Sequence, residues 1–258
     1  MNFKFVKYQA TGNDFILIDN REGKIILSQQ QIMHLCDRKF GIGADGLILI
    51  EKSEAAPFNV NYYNSDGSQS LCGNGSRAAV SFAASLNLVK DKTSFIAYDG
   101  LHDAELKPSG IVHLRMNDTK PVESSHEDFF INTGSPHVIR FVKNIQAYPV
   151  FEEGKKVRYS DAFKPGGTNV NFVELMDDNI LFVRTYERGV ENETLSCGTG
   201  VTAAALVAST KGYTSPVKIK TLGGELSVDF KKGANGEFTD IYLIGPAQKV
   251  FEGEIVLP

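Results

Sequence analysis

Cysteine is scarce in this chain: Cys36, Cys72 and Cys197 are the three in 258 residues. Their number and scatter exclude a disulfide framework, and without a CxxC pair or a Cys/His cluster there is no zinc spacing. The three are expected as reduced thiols. An excess of charge is also lacking, since 27 Lys and Arg against 31 Asp and Glu leave a net −4. With no long run of either sign, neither nucleic acid nor an anionic membrane surface is expected as a partner. No stretch approaches the roughly 20 apolar residues of a membrane span. The first residues alternate charged and apolar side chains where a signal peptide would have a continuous apolar core. The chain therefore reads as soluble and cytoplasmic, with a small or neutral molecule as its partner. A Rossmann GxGxxG, a pyridoxal-phosphate lysine motif and a metal-ligand cluster are missing too, so chemistry without a cofactor or metal is expected. Apolar residues, by contrast, make up 42% of the chain, ample for one large or two small packed domains.

Along the chain the pattern is mixed α/β. Phe3 and Phe5 alternate with lysines as in a strand, Thr11-Gly12-Asn13-Asp14 reads as a turn, and Phe15 to Ile18 resumes extended structure. Ser28-x-x-Gln31 is a capping box before Ile32, Leu35 and Cys36, which share one helical face, and Gly41 is expected to stop that helix. A Gly-rich connection with Gly41, Gly43 and Gly46 follows, then strands near 47–51 and 58–63 and the turn Asn64-Ser65-Asp66-Gly67. Cys72-Gly73-Asn74-Gly75 leads into an Ala-rich helix expected over Ser76 to Leu88, apolar on nearly all sides and so enclosed by other structure. Strands near 94–98, 102–107 and 111–116 complete the first half.

The second half repeats the first. Thr11-Gly12-Asn13-Asp14-Phe15 returns 122 residues later as Thr133-Gly134-Ser135-Pro136-His137. Tyr63-Asn64 returns as Tyr186-Glu187, and Cys72-Gly73-Asn74-Gly75 as Cys197-Gly198-Thr199-Gly200, 125 residues on. Ala78, Ala79 and Ala83 match Ala203, Ala204 and Ala208, and strands near 216–221, 225–230 and 238–244 follow. Several matches in one order at nearly constant displacement imply two pseudo-symmetric halves. These are assigned to 1–116, completed by the tail 248–258, and to 117–247, with polar 117–132 as the crossover.

Cys72 and Cys197 thus occupy the same place, at the N-terminus of a helix beside glycines. Unpaired backbone N–H groups and the positive end of the helix dipole there favour an anion, so each cysteine is a candidate thiolate. The same N–H groups suit a substrate carboxylate, which the glycines let approach closely. If the halves face each other, two acid/base groups flank one carbon, and a proton lost to one and regained from the other inverts that carbon. Cys36, on an apolar stripe with no repeat counterpart, reads as core.

These motifs together resemble the diaminopimelate epimerase family over essentially the whole length. They are Thr11-Gly12-Asn13-Asp14-Phe15, Gly41-Ile42-Gly43-Ala44-Asp45-Gly46, Asn64-Ser65-Asp66-Gly67, Cys72-Gly73-Asn74-Gly75, Thr168-Asn169-Val170, Tyr186-Glu187-Arg188-Gly189 and Cys197-Gly198-Thr199-Gly200. The resemblance implies two halves, each a strongly curved, mostly antiparallel sheet wrapped around a central apolar helix. It also implies cofactor-independent interconversion of LL- and meso-2,6-diaminopimelate, in lysine and peptidoglycan-precursor biosynthesis. By the same resemblance Cys72 is the proton donor and Cys197 the acceptor in the LL-to-meso direction, with His137 and Glu187 tuning the thiols. Gly73, Asn74, Gly198 and Thr199 would hold the reacting carboxylate, and Asn13, Asn64, Asn169, Glu187 and Arg188 would contact the rest of the substrate. Two positions depart from the family: Ser135 stands where it usually has a substrate-contacting Asn, and Gly46 where some members have Gln. The shorter Ser135 would reach substrate through a water.

Proline racemase, hydroxyproline epimerase and phenazine-type isomerases are alternatives of the same fold. Proline-type substrates leave Asn64, Asn169 and Glu187-Arg188 no distal amino acid to bind, and the phenazine type lacks the cysteine pair. A non-catalytic amino-acid binder would need no paired thiols, and a redox dithiol is normally close in sequence. His34, His102, His113 and His126 show no partner pattern, and a homodimer is left open.

Overall fold

The computed structural model describes residues 2–125 and 128–257; His126 lies outside them. The chain forms two compact units, Met1–Leu114 with Gly245–Pro258, and Arg115–Ile244.

In the first unit β1 (Asn2–Ala10) and β2 (Asn13–Asp19) form a hairpin, and α1 (Gln29–Cys36) crosses over to β3 (Gly46–Glu51), parallel to β2. β4 (Asn59–Asn64) pairs antiparallel with β3, and α2 (Gly73–Ser85) crosses to β5 (Lys92–Ala97), which meets β4 in parallel. β6 (Gly100–Leu106) and β7 (Ile111–Arg115) continue antiparallel.

The second unit follows the same plan. β8 (Glu123–Ser125), β9 (Asp128–Asn132) and β10 (Pro136–Phe141) are successive antiparallel neighbours, and α3 (Val150–Arg158) crosses to β11 (Asn169–Met176), parallel to β10. β12 (Ile180–Glu187) pairs antiparallel with β11 and with the short β13 (Asn192–Thr194). Then α4 (Gly198–Ala208) crosses to β14 (Val217–Thr221), parallel to β12, and β15 (Gly224–Lys232) and β16 (Phe238–Pro246) close the series. Finally β17 (Gln248–Val256) runs antiparallel along β1, pairing Asn2 with Val256 and Gln9 with Gln248. Parallel neighbours need a long crossover, which is why each parallel pair named here is joined through a helix.

The central helices explain the composition. α2 touches β1, β2, β3, β4, β6 and β17, and α4 touches β9, β10, β11, β12, β14 and β15, so each is enclosed by its own unit's strands. Every residue of α4 except Thr199 is buried, and Ala on the enclosed faces lets strand side chains come close on all sides. α1 instead lies on the sheet's other face, where Ile32, Leu35 and Cys36 pack with Ile16, Ile18, Leu47 and Leu49. α3 does the same in the second unit, with Val150 against Phe172 and Tyr186.

Four sequence expectations need correction. The capping box at Ser28 and Gln31 forms, but α1 ends at Cys36, before Gly41. Asp37 turns its carboxylate onto Lys39 N and Phe40 N at 2.7 and 2.8 Å, and this local side-chain bonding competes with the helix. α2 begins at Gly73, three residues before the expected Ser76, because Cys72 itself is the N-cap and Gly73-Asn74-Gly75 form the first turn. The 117–132 segment carries β8 and β9, with Phe129 packed edge-on against Phe141 and Ile131 buried. His102, expected without a partner, is bonded to Asp99 at 2.7 Å and stacks on Phe95.

Candidate active site

In the first unit the site grows from the β1–β2 hairpin. Its two-residue turn, Thr11-Gly12, has φ of 51° and 85°, the left-handed pair of a type I′ turn that matches strand twist. Asn13 leaves this turn with Oδ1 accepting from Cys72 Sγ at 3.7 Å and from Asn74 Nδ2 at 3.3 Å. Cys72 Sγ in turn accepts the Gly75 backbone N–H at 3.4 Å. Asn13 Nδ2 donates to Asp45 at 2.5 Å, and Arg38 bonds both Asp45 and Asp14 at distances near 2.6 Å. Lys7, nearly buried, completes the cluster on Asp14 at 2.8 Å and on the Gly43 carbonyl. Burial pushes the Asp14 carboxyl up, but bonds from Arg38 and Lys7 prevail and hold it at about 2. The loop through Gly41, Gly43 and Gly46 therefore serves to deliver Asp45 behind Asn13. Asn64 is spent nearby, its Nδ2 donating to Ser68 O, Ser68 Oγ and Ser70 Oγ at 3.0–3.2 Å.

In the second unit Cys197 caps α4 with φ −119° and ψ 112°, against −128° and 112° at Cys72. Thr199 Oγ1 lies 3.6 Å from Cys197 Sγ and 2.9 Å from His137 Nε2, and Ser135 Oγ is 3.0 Å from the same nitrogen. Asn171 fixes the ring from behind. Its Nδ2 donates to the Val138 carbonyl at 3.1 Å, an acceptor only, so the same NH₂ donates to His137 Nδ1 at 3.0 Å. With Nδ1 an acceptor, the neutral ring carries its hydrogen on Nε2, facing Thr199. Burial first, and then the Arg188 charge, push His137 down to about 3, so it acts as a neutral donor. The contacts from His137 Nε2 to Thr199 Oγ1 and from Thr199 Oγ1 to Cys197 Sγ thus run in series from the buried ring to the sulfur.

The remaining second-unit residues surround this relay. Asn169 donates to Ser135 Oγ and Pro136 O at 3.3 and 3.0 Å and accepts from Arg188 N at 2.8 Å. Thr194 Oγ1 donates to the Glu187 carboxylate at 2.7 Å. So Asn13, Asn64, Cys72, Gly73 and Asn74 fall in the first unit, and His137, Asn169, Glu187, Arg188, Cys197, Gly198 and Thr199 in the second. Ser135, expected to reach substrate through a water, is placed with its hydroxyl 3.0 Å from His137 Nε2 and 3.2 Å from Thr199 Oγ1. Sequence reasoning missed Asn171, Asp45 and Lys7. Asn171 carried a faint signal, a polar residue in the apolar run 169–173.

The repeat extends to these contacts. The Asn13–Asn74 bond in one unit corresponds to the Ser135–Thr199 bond in the other, at 3.3 and 3.2 Å. Strand register pairs Phe15 with Gly46 in β2–β3 and His137 with Asn169 in β10–β11, so Phe15 and Ile48 stand where the other unit has His137 and Asn171. Beneath Cys72 the floor is apolar; beneath Cys197 it is polar. Among the described residues no group of His, Cys, Asp and Glu is placed to hold a metal ion, and no helix is long and apolar enough to cross a membrane.

A family model described as diaminopimelate epimerase matches residues 5–120 and 129–250, across both cysteine-capped helices. The chain belongs to the diaminopimelate epimerase family. A protein of Flavobacterium psychrophilum named diaminopimelate epimerase is 49% identical over 98% of this chain and 100% of its own. One of Chlorobaculum tepidum with the same name is 41% identical over 96% and 99%. Solved structures share the fold at low identity. A phenazine biosynthesis protein of the PhzF family from Bacillus anthracis matches with TM-score 0.78 at 15% identity, covering all of both chains. A hydroxyproline epimerase from Agrobacterium vitis matches with TM-score 0.69 at 12% identity over 99% and 93%.

Proposed function

We infer that this protein is an isomerase that epimerises 2,6-diaminopimelate, interconverting the LL and meso forms for lysine and peptidoglycan-precursor synthesis. The observation that carries the reading is the pair of cysteines, Cys72 and Cys197, capping repeat-related helices in the same backbone conformation. Inversion at Cα requires a proton to leave one face and another to arrive on the opposite face, so two groups are needed, one thiolate and one thiol. In the LL-to-meso direction the Cys197 thiolate takes the α-proton and the Cys72 thiol delivers its own, leaving the pair with roles exchanged. Protons balance over the step, and the pair titrates as a unit.

The α-hydrogen of an amino acid is a weak acid, so the barrier falls only if charge on the developing carbanion is stabilised. Backbone N–H groups of Gly73, Asn74, Gly198 and Thr199 at the two helix starts would take the substrate carboxylate and supply that preorganised term. Asn13, Asn64, Asn169, Glu187 and Arg188 would fix the distal amino-acid end, and His137 with Glu187 would tune the thiols. The same reading places the enzyme in the cytoplasm, where thiols stay reduced, with a small molecule as its partner and no cofactor.

The test is turnover of LL-diaminopimelate in deuterated water beside proline and 4-hydroxyproline. Solvent deuterium at one Cα of diaminopimelate, with no reaction of the cyclic imino acids, is the expected result. Turnover of proline or hydroxyproline alone would replace this substrate with that of the related racemases.

A further inference from the structure

The two thiols are not supported alike, and the difference is a buried charge. Arg77, on the first turns of α2, is completely inaccessible to solvent. Its Nη1 reaches back to the Gly73 carbonyl at 3.5 Å and its Nη2 to Thr11 Oγ1 at 3.3 Å, while Nε is buried without any acceptor. No carboxylate among the described residues pairs with it. A cation removed from water is ordinarily neutralised by an acid partner, because its desolvation is otherwise uncompensated. The residue its side chain reaches, Gly73, is the neighbour of Cys72.

The repeat sharpens the point. The position equivalent to Arg77 in α4 is Thr202, which is also fully buried and donates to the equivalent carbonyl, Gly198 O, at 2.9 Å. The hydrogen bond to that carbonyl is thus available to a small neutral residue, and the fold does not need a guanidinium to make it. What Arg77 adds is charge. That charge bears on the Gly73 carbonyl, next in the chain to Cys72, in the unit where Phe15 and Ile48 stand in place of the His137 and Asn171 of the other.

We propose that Arg77 is the buried counter-charge of the Cys72 thiolate, a positioning residue that does for Cys72 what the His137–Thr199 relay does for Cys197. The electrostatics agree: burial pushes Arg77 down to about 10, and the charge on Cys72 is what opposes that fall. Thr11 belongs to the same device. Its φ of 51° is unusual for a β-branched residue, and its hydroxyl, held by Arg77, anchors the turn from which Asn13 reaches Cys72. The proposal deepens the epimerase reading, but its test needs no substrate.

The test is the pH dependence of alkylation by iodoacetamide, an uncharged reagent, read separately at Cys72 and Cys197 by peptide mass spectrometry. The variants are Arg77→Met and Arg77→Gln, which remove the charge, and Arg77→Lys, which keeps it. In the Met and Gln variants the Cys72 midpoint is expected to rise by about one pH unit or more, a loss of about tenfold in rate at pH 7, with Cys197 unmoved. Arg77→Lys should stay within about threefold of wild type at Cys72. An unchanged Cys72 midpoint without the charge, or equal shifts at both cysteines, overturns the proposal in favour of a packing role. If the neutral variants do not fold, the wild-type protein still decides. A Cys72 midpoint at or above the ordinary thiol value of about 8.5 overturns the proposal, and one below it, kept in the Arg77→Lys variant and in Cys197→Ala, supports it. Failure of the epimerase reading would appear instead as absent deuterium incorporation with these profiles intact.

Discussion

Asn171 donates to His137 Nδ1 at 3.0 Å, and that single bond determines which ring nitrogen faces Thr199 and, through it, Cys197. Asn171 is itself held by the Thr185 hydroxyl at 2.9 Å, so the orientation is fixed from the sheet. Replacing it with Leu, of similar volume, removes the lock on the tautomer. The Asn171→Leu variant should lose about 10–100-fold in kcat with KM within about threefold, because the group it orients acts on proton transfer. Steady-state kinetics check this, and an unchanged kcat would detach the relay from catalysis.

The three cysteines should separate cleanly. Cys72→Ala and Cys197→Ala are expected to abolish epimerisation, since each removes one of the two groups that the proposed proton transfer needs. Cys36→Ala should leave kcat and KM unaltered. Burial raises the Cys36 thiol to about 12, so alkylation of the native protein at pH 8 should spare it. Labelling of Cys36 at a rate like that of the other two would contradict its place in the α1 core.

Acid should destabilise the second unit through His137. Its native pKa of about 3 lies below the ordinary 6.5, so between those values the unfolded chain binds a proton that the folded chain refuses. Stability contributed by the neutral ring is therefore intact above pH 6.5 and is lost as pH falls toward 3, by up to about 1.4 kcal/mol per pH unit. Urea denaturation at pH 7, 6, 5 and 4 should show this slope, and His137→Gln should flatten it. Equal slopes for the two proteins would mean that His137 is not the group responsible.

Equivalent glycines should differ in tolerance. A Cβ on Gly75 would meet Cys72 Cβ, Ile48 and Phe15 at 3.4–3.5 Å, which is ordinary contact. A Cβ on Gly200 would collide with Asn171 Oδ1, the atom that accepts from Thr185. Gly200→Ala should thus cost about 1–3 kcal/mol of stability and impair activity, while Gly75→Ala should stay within about 1 kcal/mol of wild type. Thermal denaturation of the two variants checks the contrast.

Much of the fold was legible because it is local. Alternating apolar residues marked the strands, the Ser28–Gln31 capping box marked α1, apolar residues on nearly all sides of 76–88 required an enclosed helix, and the repeat placed its counterpart around Ala203, Ala204 and Ala208. Helix ends were misplaced where a side chain overrode the pattern, as Asp37 does after Cys36 and as Cys72 does by capping α2 ahead of its glycines. β8 and β9 escaped notice because strands of three and five residues in a polar stretch are too short to show alternation, although among the described residues they pair only with each other and with the next strand, β10.

By itself the sequence determined the repeat, the placing of Cys72 and Cys197 at helix starts and the family, because these are matters of order and spacing along the chain. Only the tertiary structure decided how each thiol is served. Strand register sets Phe15 and Ile48 under one cysteine and His137 and Asn171 under the other, and burial makes His137 a neutral donor. Burial likewise turned Arg77, an unremarked cation in an alanine-rich helix, into a charge with no carboxylate partner among the described residues. Protonation states and electrostatic partners depend on what surrounds a group in three dimensions, and no spacing along the chain records that environment.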